Sequence, residues 1–202
     1  SLWRDGYRRV AGVDEVGRGC LAGPVCAAAV VFDPSATVSG LRDSKLLSPK
    51  ARDRFYNEII ASSDWSVSEV SAAEIDRINI QRASLLAMRK AIMALEIPPD
   101  YVIVDGFRVS DFRFPQRRII GGDRKCASIA AASIVAKVTR DRLMRRLHQI
   151  DERYGFDRHK GYATVMHLDA LEAFGYSGLH RRSFRPRRLF DEARRDERPR
   201  KS

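Results

Sequence analysis

The sequence has no apolar run long enough to cross a membrane. A membrane-spanning helix needs about 20 consecutive apolar residues. The longest apolar run here, residues 25–32, is only as long as a strand. Residues 1–9 are polar and charged, so no secretory signal peptide is expected there. We therefore expect no membrane partner.

Cysteine and histidine are both scarce. The three cysteines, Cys20, Cys26 and Cys126, form no C-x-x-C pair, and their odd number offers no disulfide framework. This usage is typical of a reduced, cytoplasmic setting. The four histidines show no H-x-x-x-H or comparable spacing, so we interpret them as structural or surface residues.

Acidic residues are outnumbered by basic ones. The 202 residues contain 37 Lys and Arg against 26 Asp and Glu, a formal net charge of +11. Residues 181–202 alone hold nine Arg and one Lys against four acids, a net +6. A basic protein with a basic tail points to a polyanionic partner, most often nucleic acid. The alternative is a solvated charged surface with a disordered tail.

Length and hydrophobic pattern predict one α/β domain, or one such domain with an appendage, and 44% hydrophobic residues can form a sizeable core. The predicted strands cover residues 9–15, 25–32, 65–70, 101–104 and 118–120, and the predicted helices cover 49–61, 71–95, 128–150 and 168–174. Ser48 and Ser128 are the expected caps of the first and third helices. The short glycine-containing link between the first two strands predicts antiparallel neighbours. Later strands alternate with helices, which predicts a mixed sheet with helices on its faces.

Carboxylates follow three of the predicted strands. Asp14 and Glu15 end the first strand, Asp105 follows the fourth and Asp123 follows the fifth. Ligands of α/β sheets sit at neighbouring strand ends, and crowded carboxylates repel unless a cation compensates. Hard divalent cations such as Mg²⁺ bind through such oxygens. Two alternatives remain open: Asp14 and Glu15 could form a polar turn, and Asp123 could cap or complement a helix dipole.

A glycine-rich turn follows the first pair of acids, with Arg18 between Gly17 and Gly19. Glycines allow a backbone to approach a phosphate or sugar closely, and a guanidinium beside them can anchor the anion. The turn is therefore able to approach a phosphate or a sugar next to the acids.

Six short motifs follow one another along residues 9–185. They are Asp14-Glu15-Val16-Gly17-Arg18-Gly19, Asp43-Ser44-Lys45, Val104-Asp105-Gly106, Gly122-Asp123-Arg124-Lys125 with the helix of residues 128–141, His159-Lys160-Gly161-Tyr162-Ala163-Thr164, and His180-Arg181-Arg182-Ser183-Phe184. In this order they resemble the motifs of bacterial ribonuclease HII, the type 2 ribonuclease H. A single motif would be weak evidence, whereas six in order are highly specific.

The resemblance implies a ribonuclease H-like fold, with a five-stranded mixed sheet flanked by helices and a helical C-terminal extension. It divides the chain into a catalytic domain at residues 1–145, a helical part at 146–185 that carries the substrate-positioning Tyr162, and a basic tail at 186–202. The implied activity is metal-dependent cleavage of RNA in RNA–DNA hybrids. It includes cutting 5′ of ribonucleotides embedded in duplex DNA, leaving 3′-hydroxyl and 5′-phosphate ends.

The resemblance also implies roles for individual residues. Asp14, Glu15, Asp105 and Asp123 would hold Mg²⁺ or Mn²⁺, with two cations about 4 Å apart. The backbone of Gly17, Arg18 and Gly19 would read the ribose 2′-hydroxyl, and Tyr162 would stack on the following sugar. Lys45 and Lys137 would hold phosphates. The expected partners are RNA–DNA hybrids and ribonucleotide-containing DNA, bound by a monomer.

Purely structural roles stay open for two of these side chains, and one further acid has two possible roles. Tyr162 could be an ordinary half-buried tyrosine, and Lys137 could be a solvated helix residue. Asp141 lies one helical turn beyond Lys137, so it could pair with that lysine as a structural acid or act as a minor fourth ligand.

Two other functional classes also remain open. A resolvase or integrase core would use clustered acids on the same fold, but its glycine turn would have no 2′-hydroxyl to read. A non-catalytic nucleic-acid-binding module is disfavoured, because acids at strand ends repel phosphate unless metal is bound.

Overall fold

The computed structural model describes residues 2–33, 41, 47–110 and 112–186. Within these residues, one five-stranded sheet has the order β3-β2-β1-β4-β5. Its strands are β1 (Val10–Val16), β2 (Val25–Phe32), β3 (Ser63–Val70), β4 (Tyr101–Asp105) and β5 (Gln116–Ile119). Strands β1, β2 and β3 pair antiparallel, whereas β4 and β5 run parallel to β1. The predicted mixed sheet and the antiparallel first pair are confirmed.

Helices cover both faces of this sheet. They are α1 (Pro49–Ser62), α2 (Ala72–Ile78), α3 (Ile80–Met93), α4 (Gly122–Lys125), α5 (Ala127–Ile150), α6 (Phe156–His159) and α7 (Val165–Phe174), with a 3-10 turn at Glu152–Tyr154. Ser48 caps α1 as predicted, since its side chain accepts a hydrogen bond from the Ala51 N–H at 3.2 Å. No helix in the described ranges has the length and apolarity that a membrane crossing requires.

The core has two main layers, one on each face of the sheet. Alternate residues of β2 point to opposite sides, so Ala27 and Ala29 pack towards α3, whereas Ala28 and Val30 pack towards α1 and α5. This strand is buried on both faces, as its unbroken apolar run predicts.

Helix α5 lies unusually close to β1. A Cβ atom added at Gly12 would stand 2.2 Å from the carbonyl carbon of Ser128, so only glycine permits this contact. Ala130, Ala131 and Ala132 are buried against the sheet in the next turn. The close approach brings Ser133 and Lys137 of α5 to the end of β1.

Two helix predictions were wrong. The single helix predicted at residues 71–95 is divided into α2 and α3 at Asn79, whose φ of 68° is left-handed and whose side chain caps α3 through the Arg82 N–H. The hydrophobic stripe hides this break, because residues on both sides contact the same core. Ser128 is not a cap, since α5 begins at Ala127 after Cys126, which makes no side-chain capping bond.

Several element boundaries also differ from expectation. Helix α7 begins three residues earlier than predicted, because Thr164 caps it by accepting from the His167 N–H at 3.3 Å. Strand β5 ends at Ile119 and begins at Gln116, where two arginines in its middle weaken the apolar signal.

A third apolar cluster joins the C-terminal helices to the turn after β1. Leu21 and Ala22 pack there against Met144, Tyr154 and Phe156. The division of the chain at residues 145 and 185 stays a prediction.

Candidate active site

Three acids meet at one edge of the sheet. Asp14 and Glu15 lie at the carboxyl end of β1, and Asp105 ends its parallel neighbour β4. All three line one cavity of about 450 Å³, together with Ser133 and other residues described below. Parallel neighbours place their carboxyl ends at the same edge, which explains this convergence.

The cavity concentrates negative charge in a poorly solvated place. Burial, together with the nearby Glu15 and Asp105, raises the pKa of Asp14 to about 8, although a hydrogen bond with Ser133 opposes the shift. Burial also raises the pKa of Glu15, opposed by Arg18. A bound cation would relieve this repulsion and favour the ionised carboxylates.

The donor set suits a hard divalent cation, because all three side chains offer carboxylate oxygens. Across the described residues, no three His, Cys, Asp or Glu side chains already stand close enough to form a metal site. Coordination by Asp14, Glu15 and Asp105 would therefore require their side chains to turn towards one point.

Asp123 does not line the cavity with the other three acids. It is buried in α4, and the N–H of the preceding Gly122 donates to Asp105 Oδ1 at 3.0 Å. The backbone beside Asp123 is thus tied to the Asp105 carboxylate, but its role as a fourth ligand stays a prediction.

Two buried arginines, Arg181 and Arg140, donate hydrogen bonds to the backbone of the turn after β1. Arg181 donates to the carbonyls of Gly17 at 2.7 Å, Arg18 at 2.8 Å and Gly23 at 3.0 Å. Through these bonds, a residue near the end of the described chain supports the loop that borders the acids.

Arg140 of α5 supports the far end of the same loop. It donates to the carbonyls of Pro24 at 2.9 Å, Ala22 at 3.2 Å and Lys160 at 2.9 Å. A Cβ added at Gly17, whose φ is 89°, would stand only 2.2 Å from Arg140 Nε, so glycine is required there.

The sequence analysis predicted no structural role for either buried arginine. A signal was present, because Arg140 follows an almost unbroken run of small and apolar residues in α5, which indicates burial. Burial of an arginine implies several hydrogen-bond acceptors close by.

Gly19 differs from Gly17 in its surroundings. It is exposed, a Cβ added there would meet nothing within 4 Å, and it lines the cavity. Arg18 also lines the cavity, and its guanidinium contacts Glu15 Oε1 at 3.2 Å and Gln81 Oε1 at 2.7 Å. Its substrate-anchoring role stays a prediction.

Tyr162 and Lys137 stand at the cavity mouth. Tyr162 is 41% exposed, and Lys137 Nζ lies 5.9 Å from the centre of its ring. Lys137 donates to Asp141 Oδ1 at 2.7 Å, which is the pairing that the helix spacing indicates. Lys45 lies outside the described residues.

Carboxylates at the ends of two parallel neighbouring strands, beside a glycine turn, suit a metal-dependent nuclease of the ribonuclease H-like class. The comparisons agree: the family model described as Ribonuclease HII matches residues 11–186. Two curated relatives with that name come from Thiobacillus denitrificans, 54% identical over 88% of both chains, and Caldicellulosiruptor saccharolyticus, 48% identical over 91% of this chain and 90% of its own.

A solved structure, ribonuclease H2 from Pyrococcus horikoshii, superposes with a TM-score of 0.77 at 26% identity, covering 94% of this chain and all of that one. The chain belongs to the ribonuclease HII family. It is therefore a metal-dependent nuclease, and its fold is that of the ribonucleases H.

Proposed function

We propose that this endoribonuclease, whose family acts on RNA–DNA hybrids, also cuts duplex DNA on the 5′ side of a single embedded ribonucleotide. The observation that carries the proposal is the composition of one cavity. It brings three acids, the open Gly19 and the exposed ring of Tyr162 together. Acids alone would suit any metal nuclease, whereas an accessible backbone beside an aromatic ring suits recognition of one ribose.

The metal-binding role belongs to Asp14, Glu15 and Asp105, with Asp123 as the proposed fourth ligand. When bound, Mg²⁺ or Mn²⁺ would supply an activated water and stabilise the leaving oxygen, giving 3′-hydroxyl and 5′-phosphate ends. Ser133 orients Asp14 through its hydrogen bond.

The remaining residues would bind and orient the substrate. Gly19 leaves room for the ribose to approach the loop backbone, and the buried arginines keep that backbone in place. Lys137 and Lys45 would contact phosphates, and Tyr162 would stack on the sugar after the ribonucleotide.

Cleavage assays on three matched duplexes test this function. One carries a single ribonucleotide, one is all DNA, and one is a long RNA–DNA hybrid, each with Mg²⁺ or Mn²⁺ and with chelator. We expect metal-dependent cutting of the first and third only. Efficient cutting of the all-DNA duplex would instead indicate a resolvase-like or integrase-like nuclease, and binding without turnover in any metal would indicate a non-catalytic module.

We also propose that the chain acts as a monomer in the cytoplasm. Cys20, Cys26 and Cys126 are free thiols, which agrees with a reducing setting. Light scattering after size-exclusion chromatography would measure the oligomeric state.

A further inference from the structure

Three buried histidines, His159, His167 and His180, lie together, and one of them contacts the backbone of Tyr162. The rings of His159 and His167 stack with centroids 4.3 Å apart, and His167 Nε2 lies 3.0 Å from His180 Nε2. Among the described residues that line the active-site cavity, none is a histidine. His159 lines a neighbouring cavity that shares Tyr162 and Lys137, whereas the buried His167 and His180 line neither cavity, so any effect of His167 on catalysis must pass through another residue.

The hydrogen bonds assign the protons of two of these rings. His167 Nδ1 lies 2.9 Å from the carbonyl oxygen of Tyr162, which can only accept, so Nδ1 carries the proton. In the neutral ring, His167 Nε2 is then an acceptor, and His180 Nε2 must donate to it. His180 Nδ1 becomes an acceptor in turn, and the N–H of Ser177 donates to it at 3.1 Å. Both ends of the chain of bonds require the same arrangement.

His159 fixes the other side of the turn that leads to Tyr162. Its Nδ1 accepts from the Gly161 N–H at 3.1 Å, so its Nε2 donates to the Tyr154 carbonyl at 2.7 Å. The turn itself is strained, because Lys160 has a φ of 53° although it is not glycine. Such a conformation persists only where surrounding bonds impose it.

We propose that His167, with its proton held on Nδ1 by His180, is a positioning residue that sets the Tyr162 backbone and so directs the phenol ring at the cavity mouth. This inference rests on the proposed role of Tyr162 in recognising an embedded ribonucleotide. A rotation of the Tyr162 carbonyl would turn the attached side chain away from the sugar. Misplacement by about 1 Å can cost on the order of 100-fold in rate.

Burial supports the neutral state that this arrangement needs. It lowers the pKa of both His167 and His180 to about 4, and the Tyr162 carbonyl and Asp151 oppose the shifts only in part. At neutral pH each ring thus has one proton, and one direction of donation is available to the pair.

The first test observes the tautomers directly, without any cleavage assay. Side-chain ¹⁵N chemical shifts of the full-length protein distinguish a protonated from an unprotonated ring nitrogen. We expect His167 protonated on Nδ1 and His180 on Nε2 at neutral pH. The opposite tautomer of His167 would overturn the proposal, because that ring could not donate to Tyr162.

The second test compares two substitutions at His167. The amide nitrogen of Asn occupies nearly the place of Nδ1, so His167→Asn keeps a donor for Tyr162, whereas His167→Leu removes it. We expect His167→Leu to lower cleavage at a single ribonucleotide about tenfold or more relative to a long hybrid, and His167→Asn to restore most of that ratio. Leu171→Ala, in the same helix and buried in the apolar cluster around Tyr154 and Phe156, is the matched control for lost packing and should lower both rates equally.

A double variant separates this proposal from the proposed function. If His167 acts through Tyr162, adding His167→Leu to Tyr162→Ala should not change the substrate ratio further. Equal losses on both substrates for His167→Leu, or no rescue by His167→Asn, would reduce His167 to a structural residue. Equal losses for Tyr162→Ala alone would instead reject the recognition role of Tyr162, while the tautomer measurement would still decide the hydrogen-bond arrangement.

Discussion

The guanidinium of Arg181 donates a hydrogen bond from Nη2 to the carbonyl oxygen of Gly17 at 2.7 Å. The two residues are 164 positions apart, so the end of the described chain completes the loop that borders the active site. Burial lowers the pKa of Arg181 to about 10, which still leaves it charged at neutral pH. A C-terminal residue therefore supports the backbone of the loop that borders the acids.

We expect Arg181→Lys to be far from conservative. Lysine lacks the planar fork that reaches three carbonyls at once, and each buried acceptor left unpaired costs about 1–3 kcal/mol. Urea denaturation should show a free energy of unfolding lower by about 2–4 kcal/mol, with a matching loss of cleavage. Arg182→Lys, at the exposed neighbouring position, is the control. Wild-type stability in Arg181→Lys would mean that the three hydrogen bonds of Arg181 contribute little to the free energy of unfolding.

Asp14→Asn should abolish cleavage and yet stabilise the metal-free protein. Because the Asp14 pKa rises from 3.8 to about 8 on folding, the folded state holds a proton that the unfolded chain releases across this range. The free energy of unfolding therefore declines as pH rises through that window. The Asp14→Asn variant should not show this decline, because asparagine has no proton to release. One kcal/mol corresponds to about 2–4 °C in a chain of this size.

Calorimetry at pH 8 with EDTA, and then with Mg²⁺, would check this expectation. Mg²⁺ should raise the melting temperature of the wild type but not of Asp14→Asn, and cleavage should fall at least about 100-fold. Asp105→Asn should also lose cleavage, whereas Asp141→Asn should be much milder. If Asp141→Asn is as inactive as Asp105→Asn, the proposed fourth ligand must be reconsidered.

The histidine cluster should make the protein sensitive to mild acid. The pKa values of His167 and His180 fall from 6.5 to about 4 on folding, so only the unfolded chain gains their protons in that window. The free energy of unfolding should therefore drop as pH falls from 6.5 towards 4, by about 1.4 kcal/mol per pH unit for each such histidine. Urea denaturation at several pH values measures the slope.

His180→Gln should reduce that slope by the contribution of one histidine, about 1.4 kcal/mol per pH unit, because Gln does not titrate. His148→Gln serves as the control, since His148 lies outside the cluster, 3.4 Å from Asp157. An unchanged slope in His180→Gln would show that His180 does not resist protonation in the folded protein.

The sequence predicted those features that depend on neighbouring residues. Strand β2 was predicted with its observed bounds, because its apolar run is uninterrupted. The break at Asn79 was not, since Ile78 and Leu85 keep the hydrophobic stripe in register across it. Within the site, strand-end acids could be found from their positions.

The hydrogen bonds of the two buried arginines could not be predicted in the same way. Arg140 contacts the carbonyl of Pro24, 116 positions away, and Arg181 contacts that of Gly23, 158 positions away. Every residue has a backbone carbonyl, so the sequence does not indicate which of them accept from an arginine. These partners can be identified only from the fold. The histidines illustrate a related limit: their spacing excludes a simple ligand pattern, but their mutual contacts depend on how α6 and α7 meet.

Removal of residues 187–202 should weaken substrate binding without moving the cut site. These residues lie outside the described part of the chain, and they carry much of the positive charge of the tail. Phosphate contacts supply affinity that falls with salt concentration, so the shortened protein should show a shallower salt dependence. Fluorescence anisotropy at several salt concentrations measures the slope, and an unchanged slope would mean that the tail does not contact the substrate.

Gly17 and Gly19 offer a matched pair of substitutions that separate folding from recognition. Gly17→Ala should destabilise the protein, because the new Cβ would meet Arg140 Nε and the φ of 89° disfavours a side chain. The expected cost is roughly 1–3 kcal/mol. Gly19→Ala should keep the wild-type melting temperature, because nothing lies within 4 Å of the added carbon.

The two variants should differ in cleavage as well. If the ribose approaches the loop at Gly19, the methyl group of Gly19→Ala occupies that path and should lower kcat/KM about tenfold or more on both substrates. Gly19→Val should be worse, since the larger side chain fills more of the cavity mouth. Thermal melting and steady-state cleavage, measured on the same preparations, give both quantities. Full activity in Gly19→Ala would show that the 2′-hydroxyl is recognised elsewhere, because a side chain at this open position cannot be accommodated beside a ribose in contact with the backbone.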